Sequence, residues 1–220
     1  MKKILILLTA YFIFIFQSFA QAPDTLWTKT FGAEDSDYAN SIEQTMDNGY
    51  IIYGTKNFNH WDHMDAWLVK TNNNGDTLWT KIFENFQPSG AVHQTLDGGY
   101  IMTRSKEFEF ENGHLLVKIN SLGEIDWEKP LAVEWVNSIE KTSDEGYILT
   151  GRSDEGVNLI KTDENGDIIW TKSFGRDSVY YNSNAIQTKD GGYALIISGH
   201  QYYSRLSVFY DMCLIKTLIT

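Results

Sequence analysis

The densest group of chemically versatile side chains in this sequence is Asn59–Asp65, which reads NHWDHMD. His60 and His63 could bind zinc or a similar ion through their imidazoles, and two nearby carboxylates could complete the ligand set. Asp65 recurs as Asp211 before a similar strand, so we interpret it as a strand-entry residue. No catalytic motif surrounds the other side chains. We therefore predict a polar loop, with His60 and His63 as weak metal candidates only.

Recognisable signatures of catalysis are absent from the rest of the chain. There is no GxSxG, HExxH or P-loop pattern, and the one cysteine, Cys213, lies in an apolar run that predicts a buried, inert thiol. The run from Asp163 to Asp167 opens like a calcium loop but lacks its distal glutamate, so it predicts a hairpin turn. We predict a protein that is not an enzyme and has no cofactor. A hydrolase with paired loop carboxylates is an alternative, because their separation cannot be read from sequence.

The segments that differ between the copies of a repeat are rich in aromatic side chains, which include Phe58, Phe86, Phe108 and Phe110. Variable loops on a repeated scaffold usually carry binding residues, and aromatic rings suit either a protein partner or the face of a sugar. We predict a non-catalytic protein that binds a protein or cell-surface ligand, with glycan binding as the alternative. The candidate ligand-binding residues are His60, Trp61, Asp62, His63, Trp135, Tyr180, Tyr181, Tyr202, Tyr203 and Arg205.

These segments are spaced by a repeat of about 45 to 50 residues that occurs four times. Its first motif, QT-x-D-x-GY, predicts two strands joined by a tight turn, because Asp followed by Gly is a hairpin signal. A third strand carries L-V/I-K, whose repeated lysine we interpret as a snorkelling edge residue. A fourth carries W-x-K-x-F/L. The first motif spans Gln44–Tyr50, Gln94–Tyr100, Lys141–Tyr147 and Gln187–Tyr193.

Four short strands per repeat, without helical periodicity, predict an all-β fold: a β-propeller of four four-stranded blades. The repeats cover about residues 25–76, 77–124, 125–167 and 168–217. Thr25–Phe31 has the pattern of a fourth strand and Met212–Thr217 that of a third. Pairing these two segments would close the ring and remove its sheet edges. An open or partial propeller is the alternative.

The run LVKTNNNGDTLWTKIF, from Leu68 to Phe83, resembles the tryptophan-bearing repeat of quinoprotein-like propellers. The longer pattern that begins QTxDGGY resembles a repeat of secreted bacterial propeller proteins, mostly uncharacterised. The resemblance implies the fold and does not carry the quinoprotein activity with it, because fold alone does not determine function.

Residues 1–20 have the pattern of a signal peptide: Lys2 and Lys3, an apolar run, and the small-residue cleavage site Ser18–Ala20. We therefore predict that residues 21–220 form the propeller domain and that the protein is secreted or periplasmic. Its net charge of −11 disfavours nucleic acid and anionic membranes as partners. We predict an unidentified protein or glycan ligand, no membrane attachment after cleavage, and either a monomer or an association of half-rings.

Overall fold

The computed structural model describes residues 24–32, 36–60, 63–84, 86–106, 114–174, 179–204 and 207–218, in which every regular element is a β-strand. The first eight strands are β1 (Tyr38–Gln44), β2 (Tyr50–His60), β3 (His63–Thr71), β4 (Thr77–Phe83), β5 (Phe86–Gln94), β6 (Tyr100–Lys106), β7 (His114–Ile119) and β8 (Ile125–Leu131). The other seven are β9 (Trp135–Lys141), β10 (Tyr147–Ser153), β11 (Gly156–Thr162), β12 (Ile168–Phe174), β13 (Val179–Gln187), β14 (Tyr193–Ser204) and β15 (Ser207–Thr217). No membrane-spanning helix occurs in these ranges.

Strands that follow one another in the chain pair antiparallel to form four sheets, which we call blades 1 to 4. Blades 1, 2 and 3 contain β1–β4, β5–β8 and β9–β12, and blade 4 contains β13–β15. Each sheet keeps the order of the chain, which is the meander of a propeller blade. The prediction of an all-β propeller with four blades is therefore confirmed.

The first turn of every blade is held by a hydrogen-bonded group that we call the Asp–Lys clasp. In blade 1, one carboxylate oxygen of Asp47 accepts hydrogen bonds from the Thr45 hydroxyl at 2.5 Å and the Gly49 amide at 3.0 Å. The Lys70 ammonium lies 2.8 Å from the other oxygen and donates to the Thr71 carbonyl at 2.7 Å. A Cβ on Gly49 would lie 2.0 Å from that carbonyl oxygen. The clasp thus explains why the motif combines Thr, Asp and Gly with a distant Lys.

The clasp recurs in the other three blades, and its lysine is buried in blades 1, 2 and 3. The interpretation of this lysine as a snorkelling edge residue is therefore wrong for those blades. A buried ammonium needs its carboxylate, because an unpaired charge in the interior is strongly destabilising. In blades 2 to 4 the pairs are Asp97–Lys118, Asp144–Lys161 and Asp190–Lys216.

The residue after each clasp aspartate takes a left-handed backbone conformation. Glycine fills this position in blades 2 and 4. Asn48 occupies it in blade 1 with a φ of 63°, and Glu145 occupies it in blade 3 with a φ of 64°. Glutamate is poorly suited to that region, because its Cβ crowds the following carbonyl oxygen.

In the second turn of blade 3, Asp163 accepts backbone hydrogen bonds from Asn165 at 2.9 Å and Asp167 at 2.7 Å, so the predicted hairpin turn is confirmed there.

The hydrophobic core lies between the blades. We call the face of a blade that points to the following blade its trailing face, and the opposite one its leading face. Leu68 on the trailing face of blade 1 packs in one cluster with Val92 and Met102 on the leading face of blade 2. Trp79 of the same blade meets Tyr100 of the next edge-on, with ring centroids 5.8 Å apart. Equivalent clusters join blades 2 and 3 and blades 3 and 4.

The ring predicted from the two terminal segments is not closed in the described residues. β15 pairs only with β14, and residues 24–32 form no strand. Residues 24–32 instead contact blade 1, where Trp27 meets Tyr50 edge-on at 6.0 Å and Lys29 lies 2.8 Å from Asp76. The structure thus corresponds to the alternative prediction, an open propeller.

Cys213 is exposed, so the prediction of a buried thiol is wrong. It lies on β15, next to residues that are equally exposed. The corresponding strands of the other blades are covered by a fourth strand, whereas no described strand pairs with the outer edge of β15. An apolar run alone could not reveal this missing neighbour.

Candidate ligand-binding face

Each blade presents two chemically different ends. The clasp turns and the turns between third and fourth strands lie at one end, which we call the turn side. The connections between second and third strands and the links between blades lie at the other, the connection side, because adjacent strands run in opposite directions. The turn side repeats the same residues in every blade, whereas the connection side differs from blade to blade.

The predicted binding residues lie mainly at strand ends on the connection side. His60 and His63 are register partners at the end of the β2–β3 hairpin, and Tyr180 and Tyr202 pair with residues near the end of β14 and the start of β15. The side chains of these four residues, and of Tyr181 and Tyr203, are outside the described part. Trp61, Asp62 and Arg205 lie entirely outside the described residues. Trp135 is the member of the predicted set whose side chain is described.

Trp135 begins β9 and is half-buried on the connection side. Its ring meets the imidazole of His114 edge-on, with centroids 5.2 Å apart and an interplanar angle of 68°. Burial lowers the pKa of His114 to about 4, so this imidazole is neutral at physiological pH. A buried neutral ring therefore packs against one side of Trp135, whose side chain remains partly exposed.

His114 also takes part in a pair that resembles a catalytic one. Its Nδ1 lies 3.1 Å from the hydroxyl oxygen of Ser89, which is the relation of a nucleophile to a general base. Both residues are at most 3 % exposed, and the Ser89 hydroxyl lies 3.4 Å from that of Thr103. A substrate atom cannot reach this serine in the described structure. We infer that the pair orients His114, and sequence analysis missed it because 25 residues separate its members.

A second buried group on this side contains Arg104, whose guanidinium stacks on Phe86 at 3.2 Å from the ring centroid and pairs with Glu128. Burial lowers the pKa of Arg104, and its Nε and Nη1 have no hydrogen-bond partner among the described residues. Phe86 belongs to the aromatic set that the sequence placed in the loops. Its contact with a buried guanidinium gives it a packing role.

Exposed charges on the connection side of blades 1 to 3 are mostly acidic. Arg152 lies 3.4 Å from Glu134, the residue directly before Trp135, and both side chains are about half exposed. The other exposed charges described on the connection side of blades 1 to 3 are carboxylates. Together with Glu134 they form what we call the acidic rim: Glu84, Glu134, Asp154 and Glu155.

Two open clefts lie on the turn side, between consecutive blades. The first has a volume of about 380 Å³ and lies between blades 2 and 3. The second, of about 420 Å³, lies between blades 3 and 4 beside Trp170 and Tyr193. Sequence analysis did not single them out, because their residues repeat in every blade and were therefore interpreted as scaffold. The first cleft is lined by Asp97, Lys118, Asp126, Trp127, Lys141 and Tyr147, among others.

The described residues contain no group of three or more His, Cys, Asp or Glu side chains that could hold a metal ion. His60 and His63 lie at the ends of described ranges, but their side chains are not described. A metal site at these two residues stays a prediction.

No protein-family model and no curated protein matches this chain. Among solved structures, a protein of unknown function from Bacteroides caccae aligns with a TM-score of 0.50 and 11 % identity, over 83 % of this chain and 63 % of that one. The β-propeller domain of the Trilobed protease from Pyrococcus furiosus aligns with a TM-score of 0.49 and 13 % identity, over 86 % and 59 %. The Dos1 propeller aligns with a TM-score of 0.49 and 10 % identity, over 79 % of this chain and 45 % of that one. This chain therefore spans between 45 % and 63 % of their lengths, and the similarity concerns the fold.

Proposed function

We propose that this protein is an exported, non-catalytic propeller that binds a protein ligand through its connection side. The observation that carries the proposal is Trp135, a half-buried indole that contacts a buried neutral imidazole and lies on the same side of the molecule as the acidic rim. Large, rigid aromatic side chains dominate the energy of protein interfaces. Exposed carboxylates around such an anchor favour a partner that presents lysine or arginine, because complementary charge speeds association and selects the partner.

The packing around Trp135 supports a binding role. The edge contact with His114 fixes the position of the ring, so little side-chain entropy is lost when a partner covers its exposed part. The neighbouring Glu134 is held by its backbone, whose amide donates to the Arg152 carbonyl at 2.7 Å. The anchor and the nearest charge are therefore preorganised on strand ends.

Site-specific photocrosslinking tests this proposal. A benzophenone amino acid placed at Trp135 is expected to capture a protein in the medium or periplasm of the producing cells. Leu122 supplies the matched control, because it is 63 % exposed on the turn side. The proposal is supported if a protein is captured at position 135 and not at position 122, and if Glu134→Lys weakens the capture at position 135. Equal labelling from both positions, or none from position 135, would refute it.

Glycan binding is the second candidate, and the cleft between blades 2 and 3 favours it. Trp127 and Tyr147 provide aromatic surface there, and Asp97, Asp126 and Lys141 provide groups that can bind sugar hydroxyls. Screening the purified protein on a glycan array tests this candidate. Binding that is lost in Asp126→Ala and kept in Glu134→Lys would assign a sugar to the cleft, whereas no binding to any glycan would remove this candidate.

A further inference from the structure

The trailing face of blade 4 carries apolar side chains at positions that are buried in the trailing faces of the other blades, but no described residue covers it. Leu214 is 76 % exposed, and Met212 beside it is 74 % exposed. The equivalent leucines of the L-V/I-K motif, Leu68, Leu116 and Leu159, are completely buried against the following blade. The sequence of blade 4 is therefore that of a face built to be packed against another blade.

The leading face of blade 1 is the complementary surface. Ile42 is 64 % exposed, whereas the residues at its position in the next three blades, Val92, Ile139 and Ala185, are at most 1 % exposed. Each of those three packs against the trailing face of the preceding blade. The two exposed faces are thus the two halves of the interface that this chain forms three times internally.

Residues 24–32 occupy the place of a fourth strand that belongs to a blade preceding blade 1. Trp27 contacts Tyr50 as Trp79 contacts Tyr100, at 6.0 and 5.8 Å. Lys29 pairs with Asp76, and Lys129 pairs with Asp167 in the same way at the interface between blades 2 and 3. In blade 4, in turn, no described strand pairs with the outer edge of β15.

We propose that two copies of this chain join head to tail into a ring. The trailing face of blade 4 in each copy packs on the leading face of blade 1 in the other, and residues 25–31 of each copy pair with β15 of the other. Two such contacts, related by a twofold axis, close a ring of eight blades, which is within the usual range for propellers. Closure covers both apolar faces and removes the exposed sheet edges.

The internal blades predict the register of the joint. Leu68 pairs with Lys81, Trp67 with Ile82, and Lys70 with Trp79. By the same spacing, Leu214 pairs with Lys29 of the second copy, and Cys213 pairs with its Thr30. Directly opposed residues on antiparallel strands have Cα atoms about 4.5–5.5 Å apart, which is within the range that a disulfide spans.

A hydrogen bond between neighbouring blades adds a specific contact. The Met46 amide donates to the Gln94 side chain and the Ser143 amide to that of Gln187, each at 2.7 Å. Lys189 holds the corresponding position in blade 4. Its amide is therefore expected to donate to the exposed Gln44 side chain of the second copy.

The experiment is oxidation of the purified Thr30→Cys variant, followed by non-reducing electrophoresis. The second copy is expected to supply Cys213, so the product is a covalent dimer that reductant dissolves. Leu26→Cys is the matched control, because residue 26 lies on the same side of the strand and four residues, or about 13 Å, further along. A disulfide within one chain would show that the chain closes on itself, and absence of any crosslink would show that the strands do not meet. Either result overturns the proposal, as does an equal yield from the control.

Light scattering on the protein without added cysteines provides an independent readout. The expected mass is twice that of one chain, and Leu214→Asp is expected to reduce it to a single chain. The control is Leu78→Asp, because Leu78 is also exposed and the equivalent position in blade 2 already holds Asp126. A monomeric wild-type protein, or a dimer that Leu214→Asp leaves intact, would overturn the proposal.

Discussion

Removing one or the other partner of the Asp–Lys clasp in blade 3 is predicted to have unequal effects on stability. The side chain of Lys161 is 3 % exposed and that of Asp144 is 56 % exposed. Asp144→Asn removes the negative charge and leaves the buried ammonium with neutral acceptors, such as the Thr162 carbonyl. Leaving a buried charge uncompensated costs about 3–5 kcal/mol in the free energy of unfolding.

Lys161→Met is expected to lower the free energy of unfolding by only about 1–2 kcal/mol. The exposed Asp144 carboxylate stays hydrated and keeps its hydrogen bonds from the Thr142 hydroxyl and the Gly146 amide. The double variant should resemble Lys161→Met, because it contains no buried charge. It should therefore be more stable than Asp144→Asn alone. Urea unfolding, followed by tryptophan fluorescence, measures the free energy of unfolding of the wild type, the two single variants and the double variant.

The exposed pair Lys129–Asp167 is the control for this cycle, with side chains 29 % and 68 % exposed. Asp167→Asn should cost less than about 1 kcal/mol, as surface ion pairs do. Equal losses for the two single clasp variants would refute the reasoning. So would a double variant whose loss equals the sum of the single losses.

Three further predictions concern the repeat. Hydrogen bonds from the clasp lysine and threonine lower the pKa of Asp47, Asp97 and Asp190 to about 2, so their stabilising effect is complete above about pH 4 and is lost as pH falls toward 2. A melting temperature that stays constant between pH 5 and 2 would contradict this. Glu145→Gly should raise the free energy of unfolding by about 0.5–1 kcal/mol by removing a left-handed glutamate, measured by urea unfolding. Trp79→Ala should lower it by about 3 kcal/mol in the same assay, and a loss below about 1 kcal/mol would show that the indole contributes little to the interface with blade 2.

The fold was predictable because its signals are local. An aspartate followed by a left-handed residue and a glycine specifies a tight turn from three consecutive residues, and alternation of apolar side chains specifies the strands on either side. Repetition then places the blades in sequence. The clasp was less predictable, because Lys70 lies 23 residues from Asp47 and its burial depends on the sheet between them.

The candidate site was only partly predictable. Trp135 was identified as a loop aromatic, but its brace, His114, is 21 residues earlier and carries no motif. Phe86 was identified by the same reasoning and packs on a buried guanidinium instead. Whether an aromatic ring faces solvent or a neighbour depends on which strand ends meet in space, and composition does not contain that information.

By itself, the amino-acid sequence determined the number of blades, their strands and their turns, since hydrogen bonds and steric limits within a few residues decide those features. Only the tertiary structure decided which copies of a repeated side chain are buried. Leu68 and Leu214 stand in the same motif, yet one is enclosed and the other is exposed. The difference arises because burial requires a neighbouring blade, and a neighbour is a property of the assembled array rather than of the local sequence.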